Sequence, residues 1–536
     1  MDEPKLKPIR AWEIWNNPIL ARFARSRLRR RQLLPWGLLV LIANIFIVAL
    51  LYTISDNTRV PLRELARLGL MLLIVMQGIL LMFMGTGATA AGIIQESAEG
   101  MVEYQRLTPM SPLAKILGYL LGLPIREYVL ACIPLPFIAL SAWYGEVAWD
   151  ALGRFYGVFL VAVLLYHLTG LVAGSVVKKK FVAGRTAQML VFLLYVVVPR
   201  FAHLGFIFLI YLTVFPAWYE QAQPYLPEDA EMTRLIPWLG NQVPWFSWEF
   251  GPTMFSFTIQ GGLIFVFIVI LARKWRDSEA HLMANYFAVL LFGGIALLLL
   301  GNAYPLIDSG DFFITSDNFS SVGFAWLTLG IMGVVFLVIL MLLTKLITPS
   351  HDEARRGFRR ATKLQAKRVA PFSDDVTSLW AVVALIVISV CTWVLFTTKL
   401  NSSNLLNGMR IAPLWPLAFA ASLALPILAY HAVLERWGGR TVLLALLFAW
   451  VIPPLAAVIL AASGNMTIAT YAAGLSGFLM PIYAVVQGNA LTEDVQTIRR
   501  AFWLSIVLYA IIVPYLIVQL QRYRRQLMRD TGFRTS

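Results

Sequence analysis

Four charged side chains in the stretch "GIIQESAEGMVEYQRLTPMSPLAKILGYLLG" (92–122) have a spacing that suits a shared task. Glu96, Glu99 and Glu103 recur at three and four residues, and Arg106 follows Glu103 by one turn. That spacing puts the carboxylates on one helical face, and acid first with base last suits the helix dipole. Pro109 disfavours helical geometry at Thr108, so the predicted helix, at about 96–108, stops there. Long apolar runs flank it on both sides. Lipid cannot satisfy these charges, so a short charged helix tied rigidly to two membrane segments reads as a docking element.

Little else in the chain looks like reaction chemistry. The five histidines (His167, His203, His281, His351 and His431) are scattered over separate segments, with no metal-ligand spacing. Cys132 and Cys391 both fall inside apolar runs and read as small core side chains rather than a disulfide. Charge inside a membrane span is costly and marks a candidate functional site. On that ground Arg126, Glu127, His167, Arg200 and His203 are candidates for a translocation path, with ordinary packing weighed against each. The acidic loop residues Glu220, Glu228, Asp229 and Glu231, and Asp308, Asp311 and Asp317, read best as solvated faces.

The elements that must position these residues follow from composition. The chain has 536 residues, 59% of them hydrophobic and only 14% charged, with a mean hydropathy of +0.72. That excludes an ordinary soluble domain and predicts an all-α polytopic integral membrane protein. The net charge of +15 does not indicate nucleic acid, because the basic residues cluster between apolar spans, as the positive-inside rule expects. The first 33 residues are polar and basic, so no cleavable signal is expected and the first apolar run stays as an anchor.

Twelve transmembrane helices are predicted, at about 34–55, 65–94, 115–143, 153–177, 186–215, 252–272, 284–305, 321–347, 376–398, 412–435, 440–462 and 500–520. A thirteenth apolar run, 470–489, holds three glycines and a proline and is expected to re-enter rather than cross. This count places Arg22 to Arg31, "KKKFVAGR" (178–185), "RKWR" (273–276), the basic stretch 355–368 and the tail on one side, with both termini cytosolic in an inner, cytoplasmic membrane. It also yields two six-span halves, each with re-entrant outer elements before its sixth span. The expected domains are a cytosolic amphipathic segment, 1–33, a first half, 34–283, a second half, 284–520, and a basic tail, 521–536.

In "NPILARFARSRLRRR" (17–31), Asn17 and Pro18 form a good helix start. Ile19, Leu20, Phe23, Ala24 and Leu28 share one face, and Arg22, Arg25 and Arg29 lie on the other. An in-plane helix is expected, its apolar face in the acyl boundary and its arginines at lipid phosphates, with Trp36 at the same depth.

The run Glu96, Glu99, Gly100, Glu103, followed by Leu107, Thr108, Pro109 and Ser111 and then Ile116, Leu117 and Gly118, resembles the coupling-helix region of ATP-binding-cassette (ABC) exporter permeases of the type 2 class. The 17–31 helix is similar to the amphipathic elbow before the first span in that family. This sequence carries Met101 where the family often has Thr, and Tyr119 where Lys often follows the glycine. The resemblance implies a transport subunit without chemistry of its own, in which Glu96, Glu99, Gly100, Glu103, Arg106, Thr108 and Pro109 couple to a separate cytosolic ATPase, present in two copies. No G-x-x-x-x-G-K-[ST] loop occurs, so ATP and Mg would belong to that partner and this chain would bind no cofactor or metal. An ion-coupled secondary transporter, supported by "LERWGGRT" (434–441), and a membrane-embedded lipid or sugar transferase are the alternatives.

Overall fold

A computed structural model describes residues 13–58, 60–176, 180–202, 206–222, 242–277, 282–309, 321–364, 376–403, 415–487 and 493–533. Among them the chain is all-α, apart from a short hairpin of two strands, Val243–Trp245 and Trp248–Phe250. Among the described residues eleven helices are long and apolar enough to cross a membrane, which makes this a polytopic membrane protein. The described residues divide into two compact units with the boundary after Ser278, the second also taking in the short pieces 206–207 and 244–248.

In the first unit the helix Pro18–Arg27 is followed by spans Arg30–Asn57, Leu62–Ala98, Ile125–Tyr144, Trp149–Ser175 and Pro252–Arg276. Two expected spans differ. The run 186–215 is not one helix: Lys180–Val196 ends at Val197, a second helix Val198–Ala202 begins around Pro199, and a 3-10 turn follows at Ile207–Leu212. Pro199 brings no N–H to the ladder, so it starts a helix more readily than it continues one. The run 115–143 is likewise interrupted, into Pro112–Gly122, Ile125–Cys132 and Leu135–Tyr144, at Pro124 and Pro134.

The second unit carries spans Asn285–Asp308, Leu329–Ile347, Leu379–Ser402, Trp415–Trp437, Thr441–Ala462 and Val495–Asp530. The 470–489 run is two short helices, Met466–Gly474 and Met480–Val486, and the nine residues of the first reach only about 14 Å. Neither crosses alone. Their free backbone groups find partners: Ser505 donates to the Gly474 carbonyl at 2.6 Å, the Gly477 N–H to the Ala449 carbonyl at 3.2 Å and the Trp415 indole to the Val485 carbonyl at 3.3 Å. Non-helical backbone is tolerated at membrane depth when protein satisfies it in this way. After the span ending at Ile347, helix His351–Lys363 opens with a capping box at Ser350 and Glu353 and packs Phe358 against Phe533.

Cys132 and Cys391 are free and exposed on their helices, not in the core. In a membrane helix the lipid-facing side is as apolar as the core, so hydropathy alone does not separate the two.

Candidate functional site

The long helix Leu62–Ala98 stops because Gly100 takes a left-handed conformation, φ +72°. Only glycine adopts that region without strain, and a new helix, Met101–Leu107, starts beyond it. That helix ends at Thr108, extended before Pro109 at ψ 144°, with the Thr108 hydroxyl donating to the Gln105 carbonyl at 2.6 Å. Ser111 then caps the next helix, its Oγ accepting from the Ala114 N–H at 3.1 Å, with Pro112 in the first position. The motif Glu-Gly…Leu-Thr-Pro-Met-Ser-Pro is therefore one stop, about two turns of helix and one restart.

The break at Gly100 changes the disposition of the acidic residues. Glu96, Glu99 and Glu103 do not share a face, because the helix that would align them is interrupted between the second and the third. Glu96 turns inward: it is 7% exposed, pairs with Arg22 and lies 3.4 Å from the Tyr119 hydroxyl. Glu99 and Glu103 stay on the surface, Glu99 accepting from Gln95 at 2.8 Å and Glu103 pairing with Arg106. Tyr104 is 62% exposed and Leu107 85% exposed. The projecting face is thus two carboxylates beside two large apolar side chains.

Behind that face the helix is tied to two other helices, Pro112–Gly122 and Pro252–Arg276. The Arg106 guanidinium donates to the Lys274 carbonyl at 3.2 Å, and the Lys115 ammonium donates to the Arg106 carbonyl at 3.2 Å. Trp275 stacks on Tyr119 with centroids 5.4 Å apart. A cavity of about 430 Å³ opens alongside, lined by Val102, Glu103, Arg106, Ile116, Tyr119 and Trp275 among others.

The helix Pro18–Arg27 packs in turn on Pro112–Gly122. Asn17 caps it, Oδ1 accepting from Ile19 at 3.0 Å, while its Nδ2 donates to the Ala114 carbonyl at 2.7 Å. A Cβ on Gly118 would lie 2.7 Å from Asn17 Oδ1 and 2.9 Å from Ile19 Cβ, so the glycine allows this approach. Ile19 and Phe23 are buried at 0% and 6% exposure. The apolar face of the helix, expected in the acyl boundary, packs on protein instead, because glycines on the neighbouring helix leave a groove for it. Arg22 faces Glu96, whereas Arg25, Arg29 and Trp36 are exposed. Arg27 donates to the Leu123 carbonyl at 2.6 Å, and burial lowers its pKa, partly offset by Glu127 and Glu96.

Among the expected path residues Arg126 and Glu127 form a pair, and His167 bonds Tyr128, the next side chain in sequence. Glu127 is fully buried and paired with Arg126 at 2.6 Å. His167, also fully buried, bonds the neighbouring Tyr128 hydroxyl at 2.8 Å and the Leu81 carbonyl at 2.8 Å. Arg200 sits on helix Val198–Ala202, and His203 lies outside the described residues. Among the described residues no group of three or more His, Cys, Asp or Glu could hold a metal ion.

Sequence reasoning missed Tyr104, Trp275 and the second role of Asn17. "RKWR" registers as topological charge, and nothing in its spacing says that its tryptophan packs beside a helix some 170 residues earlier.

The fold defines the class, an all-α multi-pass membrane protein. No protein-family model, curated protein or solved structure matches the chain.

Proposed function

We propose that the chain is the membrane-spanning permease subunit of an ATP-driven ABC exporter, with Met101–Leu107 as the helix that receives the stroke of a separate ATPase. One observation carries this: a seven-residue helix projects Glu103, Tyr104 and Leu107, with Glu99 exposed just before it, while Arg106 and Lys115 bind its base to the membrane helices. A force on Tyr104 or Leu107 passes into helices Leu62–Ala98, Pro112–Gly122 and Pro252–Arg276 without slack. A surface loop with no mechanical task needs no such bracing.

The topology agrees with this reading. The in-plane helix, the docking helix and the basic end of Pro252–Arg276 meet at one end of the first unit, which the positive-inside rule assigns to the cytosol. In the second unit Phe533 beside Phe358 and Thr531 beside Thr362 bring the tail to the end that bears helix His351–Lys363. Both termini are then cytosolic, the membrane is the cytoplasmic one, and ATP and Mg reside on the partner, present in two copies. Arg126, Glu127 and His167 are the candidates for contact with transported substrate.

The test is affinity purification of the tagged chain in mild detergent beside a Glu99→Lys/Glu103→Lys variant. The wild type is expected to carry an ATPase that the variant loses while keeping its elution profile. Uptake driven by a proton or sodium gradient, with no ATPase in either sample, would overturn the reading in favour of an ion-coupled carrier.

A further inference from the structure

We infer that the chain holds an anionic phospholipid in a cavity of about 580 Å³ between the in-plane helix and the first span, with the lipid phosphate on Arg27, Arg31 and Arg126. The walls also include Ser26, Gln32 and Trp36. Three guanidinium groups thus converge on a space within the range of about 300–1,000 Å³ usual for small-molecule sites.

Two of the three are held in place before any ligand arrives. Arg27 gives Nη1 to the Leu123 carbonyl at 2.6 Å, and Arg126 gives Nε and Nη2 to Glu127 at 3.1 and 2.6 Å. Each guanidinium has five N–H donors, so both retain donors for phosphate oxygens. The Arg126 guanidinium lies 5.7 Å from the Trp36 ring centroid, which fixes its plane. Arg31 is exposed and closes the mouth. Glu127, the carboxylate that positions Arg126, does not line the cavity, so three guanidinium groups against that one carboxylate leave the site positive by two.

The apolar surface beside the cavity selects a lipid over a soluble anion. Trp36, Leu39, Ile42 and Phe46 succeed one another at helical spacing along the span and are 41%, 57%, 62% and 63% exposed. An acyl chain attached to a phosphate on the arginines would run along this stripe. The cavity lies where polar sequence gives way to apolar, at the depth of lipid headgroups. Basic pockets at that depth are suited to anionic headgroups. This inference does not depend on the ATPase reading.

Native mass spectrometry of the full chain with palmitoyl-oleoyl phosphatidylglycerol tests it. Wild type is expected to retain one lipid in preference to phosphatidylcholine. Arg31→Gln should weaken retention about fivefold, from the attraction of one surface arginine, and Arg31→Lys should restore most of it. Arg25→Gln, on the same helix but outside the cavity, should change retention less than about twofold. Arg27→Gln/Arg31→Gln should lose more again; if that double variant fails to fold, the single substitutions still decide. Equal losses in Arg25→Gln and Arg31→Gln, or equal retention of phosphatidylcholine, would overturn the assignment. Complete displacement of the lipid by inorganic phosphate would assign the cavity to a soluble anion and overturn it equally.

Discussion

Removing either partner of the Arg22–Glu96 pair should destabilise the first unit, and unequally. The Glu96 side chain is 9% exposed and that of Arg22 34%. Opposite charges about 4 Å apart attract by about 4 kcal/mol at an effective dielectric near 20. Part of that is offset by desolvating the carboxylate, and part is screened on the arginine side, leaving about 1.5–2.5 kcal/mol of coupling. Glu96→Gln leaves an arginine that water can still reach and should cost about 1–2 kcal/mol. Arg22→Gln leaves a buried carboxylate with the Tyr119 hydroxyl at 3.4 Å and the Arg27 charge nearby, and should cost about 2.5 kcal/mol. The double variant should resemble Glu96→Gln alone.

The assay is unfolding in mixed micelles with rising dodecyl sulfate, followed by tryptophan fluorescence, with the four proteins compared as a cycle. The coupling should survive 0.5 M salt largely intact, because the pair is shielded from the ionic atmosphere. Additive single effects, with coupling under about 0.5 kcal/mol, would refute the claim that this pair fastens helix Pro18–Arg27 to the end of helix Leu62–Ala98. So would a larger loss in Glu96→Gln than in Arg22→Gln.

Three further outcomes follow from the same geometry. Gly118→Ala puts a methyl group 2.7 Å from Asn17 Oδ1 and should cost about 1–3 kcal/mol in the same assay, while Gly261→Ala, which meets nothing within 4 Å, should be neutral or stabilising. Gly100→Ala forces an alanine to φ +72°, at a strain of about 1 kcal/mol, and should reduce recovery of the ATPase more than it lowers stability. In the second unit Arg524 holds Glu435, 6% exposed, through two bonds of 2.6 and 2.7 Å. Arg524→Gln should therefore cost about 3–5 kcal/mol and depress expression, with Glu435→Gln/Arg524→Gln restoring most of the loss.

The sequence shows much of the architecture because membrane spans are written in hydropathy, which needs no knowledge of partners. The stop at Thr108 before Pro109 was legible for a related reason: a helix end ahead of a proline is local backbone chemistry that acts where it stands. The 186–215 run misled because its composition is apolar throughout while Pro199 interrupts the ladder, and a hydropathy average passes over a missing N–H. The face attributed to Glu96, Glu99 and Glu103 failed on the same kind of detail, since helical periodicity does not survive a left-handed residue at Gly100. What could not be read at all was tertiary: that Glu96 meets Arg22, that Gly118 is a seat for Asn17, or that Trp275 stacks on Tyr119. Those pairs are 74, 101 and 156 residues apart, and no local propensity encodes them.

The central claim is that Met101–Leu107 docks an ATPase, and cross-linking from its outward face tests it most directly. Tyr104→Cys, introduced with Cys132→Ser and Cys391→Ser, would carry a short maleimide photo-cross-linker in native membranes, and the captured species would be identified by mass spectrometry. The account expects one dominant adduct, a protein containing a G-x-x-x-x-G-K-[ST] loop, whose yield falls when Glu99→Lys and Glu103→Lys are added. Adducts to lipid alone, or to proteins without such a loop, would contradict it.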